Sequence, residues 1–194
     1  MKNRIRIVNN SPVVLGFTAL CVLAFVLNVT TGGISTNLLF CVYRSPLSNP
    51  FTYLRLFGHV LGHASVSHLL NNLMLLLVTG PLLEEKYGGK FLIKVMVITA
   101  LLTGIVQYIL FPGSALLGAS GIVYAFIVLS SITSYKNGQI PLTLIIVAIL
   151  YLGTQVYEGV FVEDNVSQLT HIIGGVIGAV TGLMQGAKGN NENY

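Results

Sequence analysis

The sequence contains few charged residues and no tryptophan. Only 8% of its 194 residues are charged and 54% are hydrophobic, whereas an ordinary soluble domain has about 25% charged residues. This composition excludes such a domain. The two cysteines, Cys21 and Cys41, form no CxxC pair and offer no disulfide framework, so we expect both to be small residues of the core or of a loop.

The sequence also has no cluster of basic residues. Its net charge of +4 comes from Lys and Arg residues that stand singly at the ends of apolar runs. A nucleic-acid-binding protein concentrates such residues in a patch or stripe. The distribution therefore argues against nucleic acid as a partner.

The hydrophobic residues gather in six runs of about 17 to 22 residues, the length that crosses a ~30 Å hydrocarbon layer at ~1.5 Å per residue. The predicted spans are Val13 to Val29, Ala64 to Leu83, Phe91 to Phe111, Ala115 to Ser134, Ile140 to Tyr157 and Leu169 to Ala187. The pattern predicts an all-α membrane protein, a six-helix bundle with a long, irregular external loop from Thr30 to Gly62 between helices 1 and 2. Residues 1–12 would be a cytoplasmic segment, 13–187 the membrane domain and 188–194 a cytoplasmic polar tail.

The Lys and Arg residues near the helix ends predict the orientation. With both termini in the cytoplasm, the inside residues are Lys2, Arg4, Arg6, Lys86, Lys90, Lys94, Lys136 and Lys188. Only Arg44 and Arg55 are then outside. The first span follows basic residues as a signal peptide does, but it is long for one and lacks a clear cleavage site, so we expect it to be retained.

A glycine-flanked serine begins the fourth span, in Gly118-Ala119-Ser120-Gly121. A serine nucleophile needs a base and donors for the oxyanion, and the N–H groups at a helix start have no intrahelical partner. Small residues are also common at helix contacts in membranes. Taken alone, this motif favours packing over catalysis.

A histidine lies in the sixth span, one turn before Gly174, Gly178 and Gly182. Glycines four residues apart form a smooth face on which another helix can pack closely, and we expect that helix to be the fourth span. His171 would then meet the residues around Ser120. Histidine suits general-base work near neutral pH, but an interhelical hydrogen bond explains His171 equally well.

Polar residues also lead into the second span: His59, His63, His68 and Asn72. His68 and Asn72 are four apart, so they share a helix face and could direct donors to one point, as an oxyanion hole requires. His59 and His63 have the same spacing, but the sequence has no HExxH motif and no carboxylate in the outer half of a span. We therefore predict no metal and no cofactor, and a structural role for His59 and His63.

Together, His68-x-x-x-Asn72, Gly118-Ala119-Ser120-Gly121 and His171 with Gly174 and Gly178 resemble the rhomboid intramembrane serine proteases. The resemblance covers helices 2 to 6 and implies a rhomboid-like bundle. It also implies a Ser-His dyad, with Ser120 as nucleophile and His171 as base. His68, Asn72 and the Ser120 N–H would hold the oxyanion, and Tyr124 would pack on the imidazole.

The resemblance extends to the first loop, where Phe51, Tyr53, Leu54, Leu56 and Phe57 would form an apolar, membrane-dipping surface. The chain departs from the family pattern in three respects. Leu54 replaces a tryptophan before Arg55, Thr170 replaces a small alanine before His171, and we expect no extra cytoplasmic domain or seventh helix. The last difference implies the minimal six-helix form.

The resulting functional hypothesis is an intramembrane endopeptidase that cleaves transmembrane helices near the external face. Its expected partners are membrane-protein substrates and the lipid bilayer, and its expected location is a bacterial inner membrane. The main alternative is a catalytically inactive rhomboid-like protein that binds client helices. A small transporter with a polar pocket is a further alternative, and it would place Ser120 and His171 on opposite sides of the bundle.

Overall fold

A computed structural model describes residues 9–132 and 165–191, together with residues 142, 145, 146, 149 and 150. Within these residues the fold is helical apart from one short β-ribbon. The helices are α1 (Pro12–Thr30), α2 (Pro50–Gly58), α3 (Val66–Tyr87), α4 (Gly89–Leu110), α5 (Ser120–Ile132) and α6 (Asn165–Asn191). The helices α1, α3 and α4 are each long and apolar enough to cross a membrane.

The helices match most of the predicted spans. The first, second, third and sixth spans correspond to α1, α3, α4 and α6, with ends that differ by a few residues. The fourth span was predicted to be helical from Ala115, which is wrong because Ala115–Leu116 form a strand and α5 begins at Ser120. In the fifth span the structure describes five residues, all helical. The six-helix count and the two cytoplasmic segments therefore stay predictions.

The connection between α1 and α3 is ordered, so the expectation of an irregular loop is wrong. It contains a π-helix (Thr36–Phe40), the strand β1 (Val42–Tyr43), α2 and a 3-10 turn (His59–Leu61). The strand β1 pairs antiparallel with β2 (Ala115–Leu116). This ribbon ties the connection to the segment that leads into α5. Cys21 and Cys41 are both free and buried, as expected.

The packing of α6 on α5 confirms the predicted glycine face. A Cβ atom at Gly174 would overlap the carbonyl oxygen of Gly121, and one at Gly178 would overlap the carbonyl oxygen of Ala125. The two backbones therefore touch, as the small residues allow. These two helices share the most extensive contact among the described elements.

The first turn of α1 is capped by a side chain from another helix. Pro12 occupies the first turn of α1, as predicted, and the next two N–H groups, of Val13 and Val14, each donate to a carboxylate oxygen of Glu84 at 2.9 Å. Glu84 lies in the last turn of α3 and is buried. A negative charge is favourable at a helix N-terminus. Glu84 thus joins α1 to the turn between α3 and α4.

This contact predicts a loss of stability in the Glu84→Gln variant. The amide would keep one acceptor and would turn its NH₂ group toward a backbone N–H, so one charge-assisted hydrogen bond is lost at a cost of about 1–3 kcal/mol. Thermal unfolding in detergent should show a lower Tm. Glu85→Gln is the matched control, because Glu85 is exposed and its replacement should leave Tm unchanged. Equal Tm values for the two variants would contradict the capping role.

The same contact fixes which residues share an end of the bundle. Gly89, in the turn between α3 and α4, lies against Val13 at the start of α1. Lys86 and Lys90 flank this turn in the chain. The N-termini of α3 and α5 lie at the other end, beside the β-ribbon and the 3-10 turn. The polar residues His68 and Ser120 are therefore on the end away from these lysines.

Candidate active site

Ser120 is the first residue of α5 and is partly exposed. The first intrahelical bond runs from the Val123 N–H to the Ala119 carbonyl at 3.0 Å, so the N–H groups of Ser120 and Gly121 precede the helical ladder. The Gly118 N–H donates to the His59 carbonyl at 2.9 Å. This bond anchors the segment before Ser120 to the 3-10 turn.

Gly118 has a backbone conformation that favours glycine. Its φ is +134°, and a Cβ atom there would lie 2.9 Å from both Cε1 and Nε2 of His68 and 4.0 Å from Nδ2 of Asn72. Residues with a side chain rarely adopt such a φ. The side chains of His68 and Asn72 therefore point in a shared direction, as their spacing predicted. Both lie near Gly118, which precedes Ser120 by two residues. The Ser65 side chain accepts from the His68 N–H at 3.1 Å and caps the start of α3.

The helix α6 supplies His171. Its ring lies on that of Tyr124, with centroids 4.2 Å apart and planes inclined by 35°, so the expected contact between these two residues is present. A Cβ atom at Gly121 would lie 3.2 Å from Cγ2 of Thr170. The neighbours of Ser120 and of His171 in the chain therefore meet, and His171 itself is buried to 8% exposure.

His59 has the structural role that the sequence suggested. Its Nδ1 donates to the Arg55 carbonyl at 3.2 Å, and its Nε2 lies 3.1 Å from the Thr103 hydroxyl oxygen. Burial lowers the pKa of His59 to about 4, so the ring is neutral at physiological pH. Both ring nitrogens are thus used in fixing the 3-10 turn that holds Gly118.

His63 connects this turn to His68. Its Nδ1 donates to the Leu61 carbonyl at 3.1 Å, and its ring meets that of His68 edge-on with centroids 5.0 Å apart. Burial, and to a lesser degree the charge of His68, lowers the pKa of His63 to about 4. Neutral His63 therefore supports the His68 ring without adding a charge. No group of three or more metal-binding side chains occurs within the described residues.

A polar stripe on α4 was not predicted from the sequence. Thr99, Thr103 and Gln107 are all buried and follow each other at four-residue intervals. The two threonine methyl groups line Gly121, at 3.4 and 3.5 Å from a Cβ built there. The amide of Gln107 donates to the Phe111 and Ser114 carbonyls at 3.3 and 3.1 Å. Polar residues at helical spacing inside an apolar span were the signal that could have revealed this stripe.

Arg55 has a structural role in the connection between α1 and α3 that was not predicted from the sequence. It is 2% exposed and donates to the hydroxyl oxygens of Tyr43, Ser45 and Thr52. Its guanidinium group lies 4.4 Å from the centre of the Tyr43 ring. Arg55 therefore holds α2 against β1.

The other face of α2 is apolar and open. Tyr53, Leu54 and Phe57 are exposed, whereas Phe51 and Leu56 are partly buried. Leu54, at the position of the family tryptophan, is 54% exposed and takes no part in the core. The α2 surface therefore fits contact with lipid through three of the five predicted residues.

The arrangement provides the parts of a nucleophilic site around the first turn of α5. A hydroxyl and N–H groups that precede the helical ladder lie at the centre, two polar side chains approach from α3, and an imidazole comes from α6. The Nδ2 atom of Asn72 is buried and makes no hydrogen bond within the described residues. A buried donor of this kind costs free energy unless something accepts from it, so it is suited to an anionic group formed at the site.

Comparisons with known proteins identify the family. A family model described as Rhomboid domain matches residues 50–188. Proteins named "Rhomboid protease GlpG" are similar to the chain. The Enterobacter sp. protein is 34% identical over 114 residues, which is 59% of this chain and 41% of the relative. The Serratia proteamaculans protein is 27% identical over 171 residues, which is 86% of this chain and 60% of the relative.

The chain thus spans about half the length of the curated relatives that it matches. The Rhomboid domain match, in contrast, extends over most of the chain, from the first residue of α2 to the last turn of α6. The chain therefore belongs to the rhomboid family.

Proposed function

We propose that the protein is an intramembrane serine endopeptidase in which Ser120 attacks the substrate carbonyl and His171 is the general base. The observation that carries the proposal is the meeting of three elements at the start of α5. His68 and Asn72 lie beside Gly118, and His171 lies on Tyr124 one turn into α5. The mutual placement of nucleophile, base and oxyanion donors is the first requirement of such chemistry.

In the proposed reaction, Ser120 Oγ bonds to the carbonyl carbon of the scissile peptide while its proton passes to His171. The carbonyl oxygen becomes an oxyanion. When the tetrahedral intermediate collapses, the C–N bond breaks and His171 returns the proton to the leaving amine. Water then attacks the acyl-enzyme with the same base, and Ser120 is regenerated. No acidic third member is required in this scheme.

The oxyanion would be held by His68, Asn72 and the Ser120 N–H. Support comes from the buried Nδ2 of Asn72, which makes no hydrogen bond to the part of the chain that the structure describes. The proximity of His68 to Gly118 and the position of Ser120 at a helix start add to this support. Donors fixed before the reaction need no reorganisation when the charge forms, and each can contribute about 10²–10³ in kcat.

The proposed substrate is a transmembrane helix that enters from the bilayer and unwinds near the external face. The site lies at the end of the bundle away from the turn flanked by Lys86 and Lys90, and lysines favour the cytoplasmic side. On this basis both termini are cytoplasmic. Because the similar proteins come from bacteria, we propose a bacterial inner membrane as its location.

A fluorophosphonate probe tests the nucleophile directly. The purified full chain in detergent should be labelled once, at Ser120, because only a hydroxyl activated by a base reacts readily with this reagent. Ser120→Ala should abolish labelling and cleavage of a transmembrane reporter. Ser48→Ala is the control, since Ser48 is exposed on the connection before α2 and its loss should change neither result. A folded protein that neither reacts nor cleaves would overturn the proposal in favour of a binding protein.

A further inference from the structure

An apolar groove of about 400 Å³ lies between α1 and α4. Gly16, Phe17 and Leu20 form one wall, and Ile93 and Val97 form part of the other. Phe57, Val60 and Leu61 also line it, from the C-terminal end of α2 and the 3-10 turn. All of the residues that line the groove are non-polar, so the groove can accept only hydrocarbon without leaving polar groups unpaired.

The groove depends on a glycine. A Cβ atom built at Gly16 meets no heavy atom within 4 Å, although Gly16 is one of the lining residues. A larger side chain would therefore extend into the groove without a clash at its base. The absence of a side chain at Gly16 therefore leaves this part of the groove open.

The surroundings of the groove identify hydrocarbon from lipid as its content. Both walls belong to helices that are long and apolar enough to span a membrane. A groove between two such helices faces the acyl chains of the bilayer. The remaining question is whether the groove selects one kind of lipid.

Positive charge beside one end of the groove favours a lipid with an anionic headgroup. Lys90 and Lys94 are exposed in the first two turns of α4. Lys90 precedes the lining residue Ile93 by three positions, and Lys94 precedes the lining residue Val97 by three, so the lysines border the lining face without belonging to it. Glu84, the buried acidic residue at this end, is already occupied by the N–H groups of α1. Gly89 lies against Val13, so two exposed cationic side chains border the groove near the end formed by Pro12 and Val13.

We propose that this groove binds an acyl chain of an anionic phospholipid whose phosphate is held by Lys90 and Lys94. The bound chain would run along α1 and α4 toward the 3-10 turn, where Val60 and Leu61 line the groove. The same turn accepts the Gly118 N–H through the His59 carbonyl. The lipid therefore supports the segment that leads to Ser120, and its binding does not depend on the proposed peptidase activity.

Native mass spectrometry of the purified full chain tests this site with two probes, dioleoylphosphatidylglycerol and dioleoylphosphatidylcholine. Each basic residue near a membrane surface attracts anionic lipid by ~1 kcal/mol, so two lysines should give a preference for phosphatidylglycerol of roughly tenfold or more. Lys90→Gln combined with Lys94→Gln should abolish the preference. Replacement of both lysines by Arg keeps the charge and should preserve it.

Filling the groove provides the second arm of the test. Gly16→Leu should reduce retention of phosphatidylglycerol to the background level, whereas Val26→Phe, which adds bulk to an exposed position of α1 outside the groove, should not. Equal retention of the two lipids by the unmodified chain would overturn the proposal. So would a change from dimer to monomer in Gly16→Leu, because the groove would then be an interface between copies. If Gly16→Leu does not fold, the lysine variants decide.

Discussion

Replacing His171 by Gln should lower kcat on a transmembrane-helix substrate by about 10³-fold or more, because glutamine keeps hydrogen-bonding capacity but cannot accept a proton from Ser120. His171→Ala should show a loss of similar size. The ring of His171 packs on Tyr124, and its proposed role is proton transfer and not substrate binding. We therefore expect KM to change little. Initial rates of reporter cleavage over a range of substrate concentrations give kcat and KM, and fluorophosphonate labelling reports the activation of Ser120.

Thr170→Ala is the matched control for His171. Thr170 is the preceding residue of α6, is also buried and lies against Gly121, so its truncation alters the same helix contact without removing an ionisable group. We expect this variant to keep its activity within about tenfold, and its Tm should resemble that of His171→Gln. If His171→Gln retained a tenth of the original kcat, His171 would be a packing residue only.

The sequence predicted those parts of the fold that depend on local patterns. Apolar runs gave the positions of α1, α3 and α4, and the Ser11-Pro12 pair gave the start of α1. The four-residue glycine repeat predicted the contact of α6 with α5, since only residues without large side chains allow backbones to touch. The i, i+4 spacing of His68 and Asn72 predicted their shared direction.

Contacts between distant segments were not predictable in this way. The pairing of β1 with β2 joins residues about 70 positions apart, and two residues of strand carry almost no sequence signal. The bond between Glu84 and the start of α1 likewise spans about 70 residues. An acidic residue near a helix end is ordinarily a surface residue, and only tertiary packing turned this one inward.

The placement of the oxyanion donors depends both on a local sequence pattern and on contacts between distant segments. The sequence put His68 and Asn72 on one helix face, but it did not show what that face meets. The hydrogen bond from Gly118 to the 3-10 turn and the packing of the α4 polar stripe on Gly121 place the start of α5 against this face of α3. Glycine at position 118 is the residue that permits this approach.

Gly118→Ala should therefore lower kcat by about 10²–10³, the range observed when an oxyanion donor is removed. The new methyl group would stand 2.9 Å from two atoms of the His68 ring, which is too close, so the ring must move away from Gly118 and out of its present position. The φ of +134° also strains any residue with a side chain. Initial-rate measurements with purified variants give kcat and KM separately, and the loss should fall mainly on kcat.

Gly113→Ala separates this effect from a general effect of adding a methyl group before α5. A Cβ atom at Gly113 meets no heavy atom within 4 Å, and its φ lies outside the strained region, so activity and Tm should remain unchanged. In Gly118→Ala, truncation of His68 to Ala in the same chain should add little further loss, because the ring is already displaced. If the two losses multiplied instead, Gly118 and His68 would act independently, and the proposed clash could not be the cause.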